Sequence, residues 1–185
     1  MSIRSFWDGK GLFETHELVT IGLFAAGAKA SALVIALVGG GMNPLTMILK
    51  SAVYSALLVV LLAKVPKTGT LTLANLVGAL LAFFLMGQSM LAIPALVIGT
   101  LLVELFIKAI GGLERHPGYA ILTVALSEFV IRFINLGVSY LMVREQPQLL
   151  VMVVVVVAFS YLGIIVGLVG GYFMTRELRH AGLLQ

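Results

Sequence analysis

Apolar residues fill six long blocks of this chain, and short polar gaps separate the blocks. The blocks run over residues 17–39, 44–65, 71–87, 91–111, 119–143 and 149–175. Each is close to the roughly 20 residues with which a helix crosses the hydrocarbon core of a bilayer, and the third block is the shortest. The pattern predicts an all-α integral membrane protein with six transmembrane helices.

The Lys and Arg residues outside the blocks fall mostly in alternate gaps. The first and third gaps hold none, and the fifth holds only Arg144. The remaining positive charges lie in the tails, in the second and fourth gaps or at the block ends beside those gaps, and all belong to one side of a six-span chain; they are Arg4, Lys10, Lys64, Lys67, Lys108, Arg115, Arg176 and Arg179. Because positively charged loops are retained in the cytoplasm, both termini are predicted to be cytoplasmic.

Composition and gap length predict a single domain. Hydrophobic residues make up 61% of the 185 residues and charged residues 11%, which is typical of a membrane protein. The short gaps predict that successive helices are antiparallel neighbours. We expect a cytoplasmic or interfacial tail over residues 1–16, one six-helix bundle over 17–175 and a cytoplasmic tail over 176–185. The sixth helix is expected to continue into that last tail. The net charge of +4 fits loops that face anionic lipid, and nucleic-acid binding is not predicted.

Several kinds of chemistry have no support in the sequence. There is no phosphate-binding loop of the G-x-x-x-x-G-K-[ST] type, so ATP hydrolysis by this chain is not predicted. The chain has no Cys, and His16-Glu17 lacks the second His of a zinc helix because Thr20 stands in its place. We therefore predict no catalytic residues, no metal and no cofactor in this chain.

Ionisable residues inside the apolar blocks are costly, and each is a candidate for function. The fifth block is the richest: Glu128, Arg132, Asn135 and Ser139 are spaced by 4, 3 and 4 residues, which places them on one face of a helix. One interpretation is a Glu128–Arg132 ion pair that only holds the bundle together. The other is that Arg132, Asn135 and Ser139 line a ligand pocket open to the outside.

Other polar residues give weaker signals. Lys50 either reaches the outer surface or points inward toward an anionic ligand. Glu104 and Lys108, four residues apart on the fourth block, are predicted to form a structural ion pair. Asn43 and Gln88 lie in the outer gaps, where they could close a pocket.

The first block carries a ridge of small residues at a four-residue spacing, Gly22, Ala26 and Ala30. Such ridges let another helix approach closely. The partner could be a helix of the same chain or of another protein. Lys29 lies beside the ridge, and if it shares the edge of the ridge it could pair with a carboxylate of a partner or extend to the surface.

These features together resemble the substrate-binding S component of energy-coupling factor transporters. The resemblance rests on the A-x-x-x-A motif of the first block (Ala26 to Ala30), on six spans with both ends inside, and on the absence of an ATPase motif. The segment AKVPKTGTLT over residues 63–72 and the segment LVEL over 102–105 are similar to the Trep_Strep or MptD-type branch. The resemblance covers roughly residues 17–175.

The resemblance implies a function and a set of partners. S components bind a micronutrient such as a vitamin, a vitamin precursor or a haem-like anionic compound from outside. They work in the prokaryotic cytoplasmic membrane with a membrane coupling protein and two ATPases, which use the ATP. The A-x-x-x-A ridge is the docking surface for the coupling protein in that family, and Gly22 extends it here. This sequence differs from the family motif in one respect, because the charged residue Lys29 lies within the motif.

Pocket residues of S components vary with the substrate, so the pocket is a hypothesis from this chain alone. Arg132, Arg144 and Lys50 favour a ligand with a carboxylate or phosphate group. The substrate-binding set is therefore predicted as Arg132, Asn135, Ser139, Lys50, Asn43 and Gln88. The alternative functions are a small transporter or channel that works alone, and a membrane enzyme or assembly subunit.

Overall fold

The computed structural model describes residues 13–40, 43–87, 92–110, 118–143 and 147–182, and the described residues form helices without any strand. The six helices follow the six apolar blocks. They are α1 (Thr15–Gly39), α2 (Pro44–Lys64), α3 (Thr70–Met86), α4 (Ala92–Ile110), α5 (Gly118–Val143) and α6 (Pro147–His180). The predicted all-α architecture is confirmed. The predicted N-terminal tail lies almost wholly outside the described residues.

The helices have the lengths and surfaces of membrane helices. All except α3 are long and apolar enough to cross a bilayer, and α3, with 17 residues, is at the lower limit of about 17. Large apolar side chains face away from the bundle, for example Leu37 and Val38, which are 77% and 85% exposed. In water such a surface would drive association, whereas lipid tails solvate it. The chain is therefore an all-α integral membrane protein.

The helices pack as a ring in the order α1, α2, α6, α5, α4, α3 and back to α1, and α2 also contacts α5 across the middle. Most successive helices are neighbours, as predicted. The exception is α2 and α3, which touch only slightly because α1 lies against both of them. This arrangement leaves α2 in contact with α1, α5 and α6, and Lys50, Ser51 and Tyr54 of α2 face the interior.

A seam of glycines joins α6 to α2. A Cβ atom on Gly163 or Gly167 would overlap the backbone carbonyl of Ile48 or Ala52, and one on Gly171 would lie 2.9 Å from Cβ of Val59. The three glycines recur every four residues and so form one face of α6. The backbones of the two helices therefore meet directly along this seam.

Two contacts join the beginnings of the odd-numbered helices to the ends of the even-numbered ones. Lys67, in the connection from α2 to α3, forms an ion pair with Glu17 at the start of α1 (Nζ to Oε2, 2.7 Å). Glu104, near the end of α4, accepts a hydrogen bond from the backbone N–H of Leu71 at the start of α3. We call this end of the bundle the inner end, following the charge pattern that predicts it to be cytoplasmic, and the opposite end the outer end.

The predicted Glu104–Lys108 ion pair is wrong. The Glu104 carboxylate is buried and accepts hydrogen bonds from Leu71 and from the Thr72 hydroxyl, whereas Lys108 is exposed. The first amide groups of a helix lack partners within the helix and attract anions. The Glu104 carboxylate, which was predicted to pair with Lys108, therefore binds the start of α3.

The length of α6 confirms another prediction. This helix has 34 residues, about 51 Å at 1.5 Å per residue, whereas the hydrocarbon core is about 30 Å thick. It continues through Arg176, Glu177, Arg179 and His180. Its last turns therefore extend beyond the length that a bilayer can cover.

Candidate functional site

A cavity of about 330 Å³ lies inside the ring, where α1 to α5 converge. Most of its lining residues are polar or charged side chains on helices that are otherwise apolar. The lining residues are Lys29, Ala32, Lys50, Ser51, Tyr54, Asn75, Leu96, Glu128, Ile131, Arg132 and Asn135. Of the predicted substrate-binding residues, the structure brings together Arg132, Asn135 and Lys50.

The lining extends through much of the depth of the bundle. Lys50 lies six residues into α2, about 9 Å along the helix from its outer end. Asn75 lies five residues into α3, about 8 Å from its inner end. Of the three basic lining residues, Lys50 is therefore nearest the outer end, and Asn75 is the lining residue nearest the inner end.

The inner part of the cavity is formed by Tyr54 and Asn75. The Tyr54 hydroxyl donates a hydrogen bond to Oδ1 of Asn75, which fixes both side chains across the boundary between α2 and α3. Asn75 is 1% exposed, and its Nδ2 atom has no hydrogen-bond partner among the described residues. A buried donor without a partner costs free energy, so this amide is available to an acceptor on a ligand.

Lys29 points into this cavity. Its ammonium group lies 5.0 Å from the centre of the Tyr54 ring, within cation–π range. The path is open because Gly78 of α3 lies opposite: a Cβ atom there would be 3.0 Å from Cε of Lys29. Lys29 is therefore directed into the bundle, and the condition under which it could pair with a carboxylate of a partner, a place at the edge of the α1 ridge, is not met.

Glu128 and Arg132 form the predicted ion pair. Nη2 of Arg132 lies 3.4 Å from Oε2 of Glu128 one helical turn away, and Glu128 is 5% exposed. The Glu128 carboxylate also attracts Lys29 electrostatically. The Nε atom of Arg132 is buried and has no hydrogen-bond partner among the described residues. The pair therefore leaves part of the guanidinium without a hydrogen bond.

The charges of the lining do not balance. Among the described lining residues, the two cations Lys29 and Arg132 share the cavity with one acidic side chain, Glu128. Excess charge within a membrane bundle is costly unless a counter-charge accompanies it. A carboxylate or phosphate group in the cavity would supply that counter-charge and could accept hydrogen bonds from the cationic groups.

The other predicted substrate-binding residues lie elsewhere. Ser139 borders a separate cleft of about 40 Å³ between α5 and α6, because it is about 10 Å further along α5 than Arg132 and α6 covers the helix there. Asn43 caps α2: its Oδ1 atom accepts a hydrogen bond from the backbone N–H of Leu45 at 3.1 Å. Gln88 and Arg144 lie outside the described residues.

The sequence interpretation missed Tyr54, Asn75 and Ser51. A usable signal was present, since Tyr54 follows Lys50 by four residues in α2 and therefore shares its face. Asn75 is a polar amide in an apolar block, the same feature that identified Asn135. No sequence rule indicated that α3 would carry Asn75 to the same place as Tyr54.

The small-residue ridge of α1 faces away from the bundle. Ala26 and Ala30 are exposed and Gly22 is half-buried. A Cβ atom added at Gly22 would meet nothing within 4 Å. The ridge is therefore open to a helix of another molecule, in contrast to the glycine seam between α2 and α6.

The chain matches a family model over residues 15–144. That model is described as a hypothetical bacterial integral membrane protein (Trep_Strep). The chain belongs to the Trep_Strep family. The match covers α1 to α5, the five helices that line the cavity of this Trep_Strep protein, and ends before α6. Neither a curated protein nor a solved structure matches the chain.

Proposed function

We propose that this Trep_Strep protein is the substrate-binding S component of an energy-coupling factor transporter in the bacterial cytoplasmic membrane. It captures a small anionic micronutrient from outside. The observation that carries this proposal is the cavity of about 330 Å³, in which the cations Lys29 and Arg132 face the single carboxylate of Glu128 among the described lining residues. In a transporter subunit, this excess of positive charge would bind the anionic group of the substrate.

Two features favour ligand binding over a purely structural polar core. A structural ion pair is stable when its remaining donors are also satisfied, yet Arg132 retains a buried Nε atom without a partner among the described residues. The Nδ2 atom of Asn75 is in the same state. Both donors belong to residues that line the cavity, where an acceptor on a ligand would satisfy them.

The remaining parts of the transporter are proposed partners. A membrane coupling protein docks on the ridge of Gly22, Ala26 and Ala30, whose two alanines are exposed. Two cytoplasmic ATPases supply the energy, because this chain has no phosphate-binding loop. Exposed small residues suit this role since they allow close helix–helix contact with little loss of side-chain freedom.

The test is reconstitution with and without the partners. The chain is co-expressed with the coupling protein and ATPases of its own genome, and affinity purification is followed by native mass spectrometry. We expect one complex of all four subunits and a small anionic molecule retained on this chain. Uptake of that molecule by liposomes that contain this chain alone would contradict the proposal and identify a transporter that works without ATPases.

A further inference from the structure

A second space adjoins the polar cavity on its α5–α6 side. This crevice has a volume of about 310 Å³ and lies between α5 and α6. Its walls are almost entirely apolar, and besides Arg132 they include Phe129, Phe133, Leu136, Val157, Ala158 and Tyr161. Among the described residues, α6 lines this crevice but not the polar cavity, whereas α5 lines both spaces.

Arg132 borders both spaces. Its Nη2 atom is directed to Glu128 at 3.4 Å, whereas its Nε atom is buried without a hydrogen-bond partner among the described residues. An arginine at this depth is costly next to apolar walls unless an anion accompanies it. The residue therefore connects a cationic cavity with an apolar crevice.

Three aromatic rings among the lining residues of the crevice contact one another. The rings of Phe129 and Phe133 stack with centroids 6.3 Å apart, and Tyr161 meets Phe129 edge-on at the same distance. The small side chain of Ala158 on α6 also lines the crevice. Such a slot accommodates a flat or chain-like apolar group. A lipid chain alone would fill the slot but would leave the Arg132 cation without an added anion.

We propose that the ligand is an amphipathic anion rather than a compact hydrophilic one. Its carboxylate or phosphate group binds between Lys29 and Arg132 in the polar cavity, and its apolar part occupies the α5–α6 crevice. Each space alone is near the lower limit of roughly 300 Å³ for small-molecule sites, and the two together suit a larger molecule. This inference rests on the proposed function, because it names the class of substrate that the same site binds.

The test uses a photoreactive fatty acid that carries a diazirine near the end of its chain. The full-length protein is placed in nanodiscs of phosphatidylcholine, irradiated and analysed by peptide mass spectrometry. We expect labels on residues 129–136 and 154–161, and we expect dodecanoate to compete for them while methyl dodecanoate does not. The anionic group of dodecanoate is the feature that Arg132 recognises.

Matched variants test the two halves of the site. Ala158→Phe fills the crevice, and Arg132→Gln removes the cation; each is expected to reduce labelling about tenfold or more. Val155→Phe adds a similar side chain to an exposed position of α6 that does not line the crevice, and we expect labelling within about twofold of the unaltered protein. Thermal unfolding of each variant verifies that it is folded. The competition between dodecanoate and its methyl ester is measured on the unaltered protein, so its result does not depend on the folding of any variant.

The outcomes separate this inference from the proposed function. Equal competition by the methyl ester, or labelling that Ala158→Phe leaves unchanged, identifies ordinary lipid in the crevice and overturns the inference. A compact hydrophilic anion that binds through Arg132 and is insensitive to Ala158→Phe also overturns it, but leaves the proposed S component intact. Specific labelling without recovery of any coupling protein or ATPase supports the amphipathic ligand and contradicts the proposed S component.

Discussion

Glu104 of α4 caps the beginning of α3 through Leu71. Its Oε1 atom accepts a hydrogen bond from the backbone N–H of Leu71 at 2.8 Å, and its Oε2 atom accepts one from the Thr72 hydroxyl at 2.6 Å. The carboxylate is buried at the positive end of the helix, where a negative charge is favourable. A single side chain thus joins two segments of the chain that are far apart in sequence.

The first prediction concerns this cap. Glu104→Ala leaves the Leu71 amide and the Thr72 hydroxyl without their partner, and we expect a loss of about 1–3 kcal/mol of unfolding free energy. Glu104→Gln keeps one acceptor and is expected to lose less. Thermal unfolding in detergent measures both. Lys108→Ala is the control, because Lys108 is exposed, and an equal loss in that variant would contradict the cap.

A second prediction concerns the glycine seam. Gly167→Ala places a methyl group against the Ala52 backbone and the Ser55 hydroxyl, and we expect it to destabilise the protein by about 1–3 kcal/mol. Gly170→Ala, three residues further along the same helix, has nothing within 4 Å of the new methyl group and is expected to be neutral. Unfolding by heat or by a denaturing detergent compares the two. Equal stability of these variants would be inconsistent with direct backbone contact.

The fold was largely predictable from the sequence because lipid imposes a simple rule. A segment that crosses a bilayer must satisfy its own backbone hydrogen bonds, so apolar blocks of suitable length become helices. All six predicted blocks coincide with α1 to α6. The ring order was not predictable, since van der Waals fit rather than hydrophobicity selects neighbours within a membrane. The glycines at 163, 167 and 171 gave a signal that the sequence interpretation left unused.

The third prediction tests the exposed ridge of α1. Ala26→Leu and Ala30→Leu enlarge exposed positions, so we expect unchanged thermal stability together with loss of co-purification with the coupling protein. Ala109→Leu makes the same change at an exposed position of α4 and is expected to keep the complex. Complexes that survive both ridge substitutions would place the docking surface elsewhere.

A fourth prediction separates cations inside the cavity from cations outside it. Lys29→Gln removes the ammonium group over Tyr54, and we expect the affinity for an anionic ligand to fall about tenfold or more, because hydrogen bonds to charged groups contribute ~1.5–3 kcal/mol. Lys108→Gln changes the net charge equally at an exposed position and is expected to have little effect. Binding is measured by titration of the ligand that co-purifies. An equal change in both variants would indicate a long-range charge effect and not a contact.

The candidate site was only partly predictable. The helical spacing placed Glu128, Arg132 and Asn135 on one face because all three lie on one helix, and the structure keeps them together. The position of Lys29 in the cavity could not be predicted from α1 alone, because it depends on Gly78, which lies on another helix and leaves room for the Lys29 side chain. Ser139 fits the same spacing as Arg132 but borders a different cleft, because the neighbours of α5 change along its length. Spacing predicts which residues share a face, whereas packing determines what that face meets.

The α2–α6 glycine seam has a mechanical consequence. Where backbone meets backbone, neither helix can turn about its own axis without a steric clash, and neither can move outward without leaving a void. These two helices therefore move as one rigid unit on one side of the ring. Any opening that admits a ligand to the interior has to come from displacement of the remaining helices relative to α2 and α6.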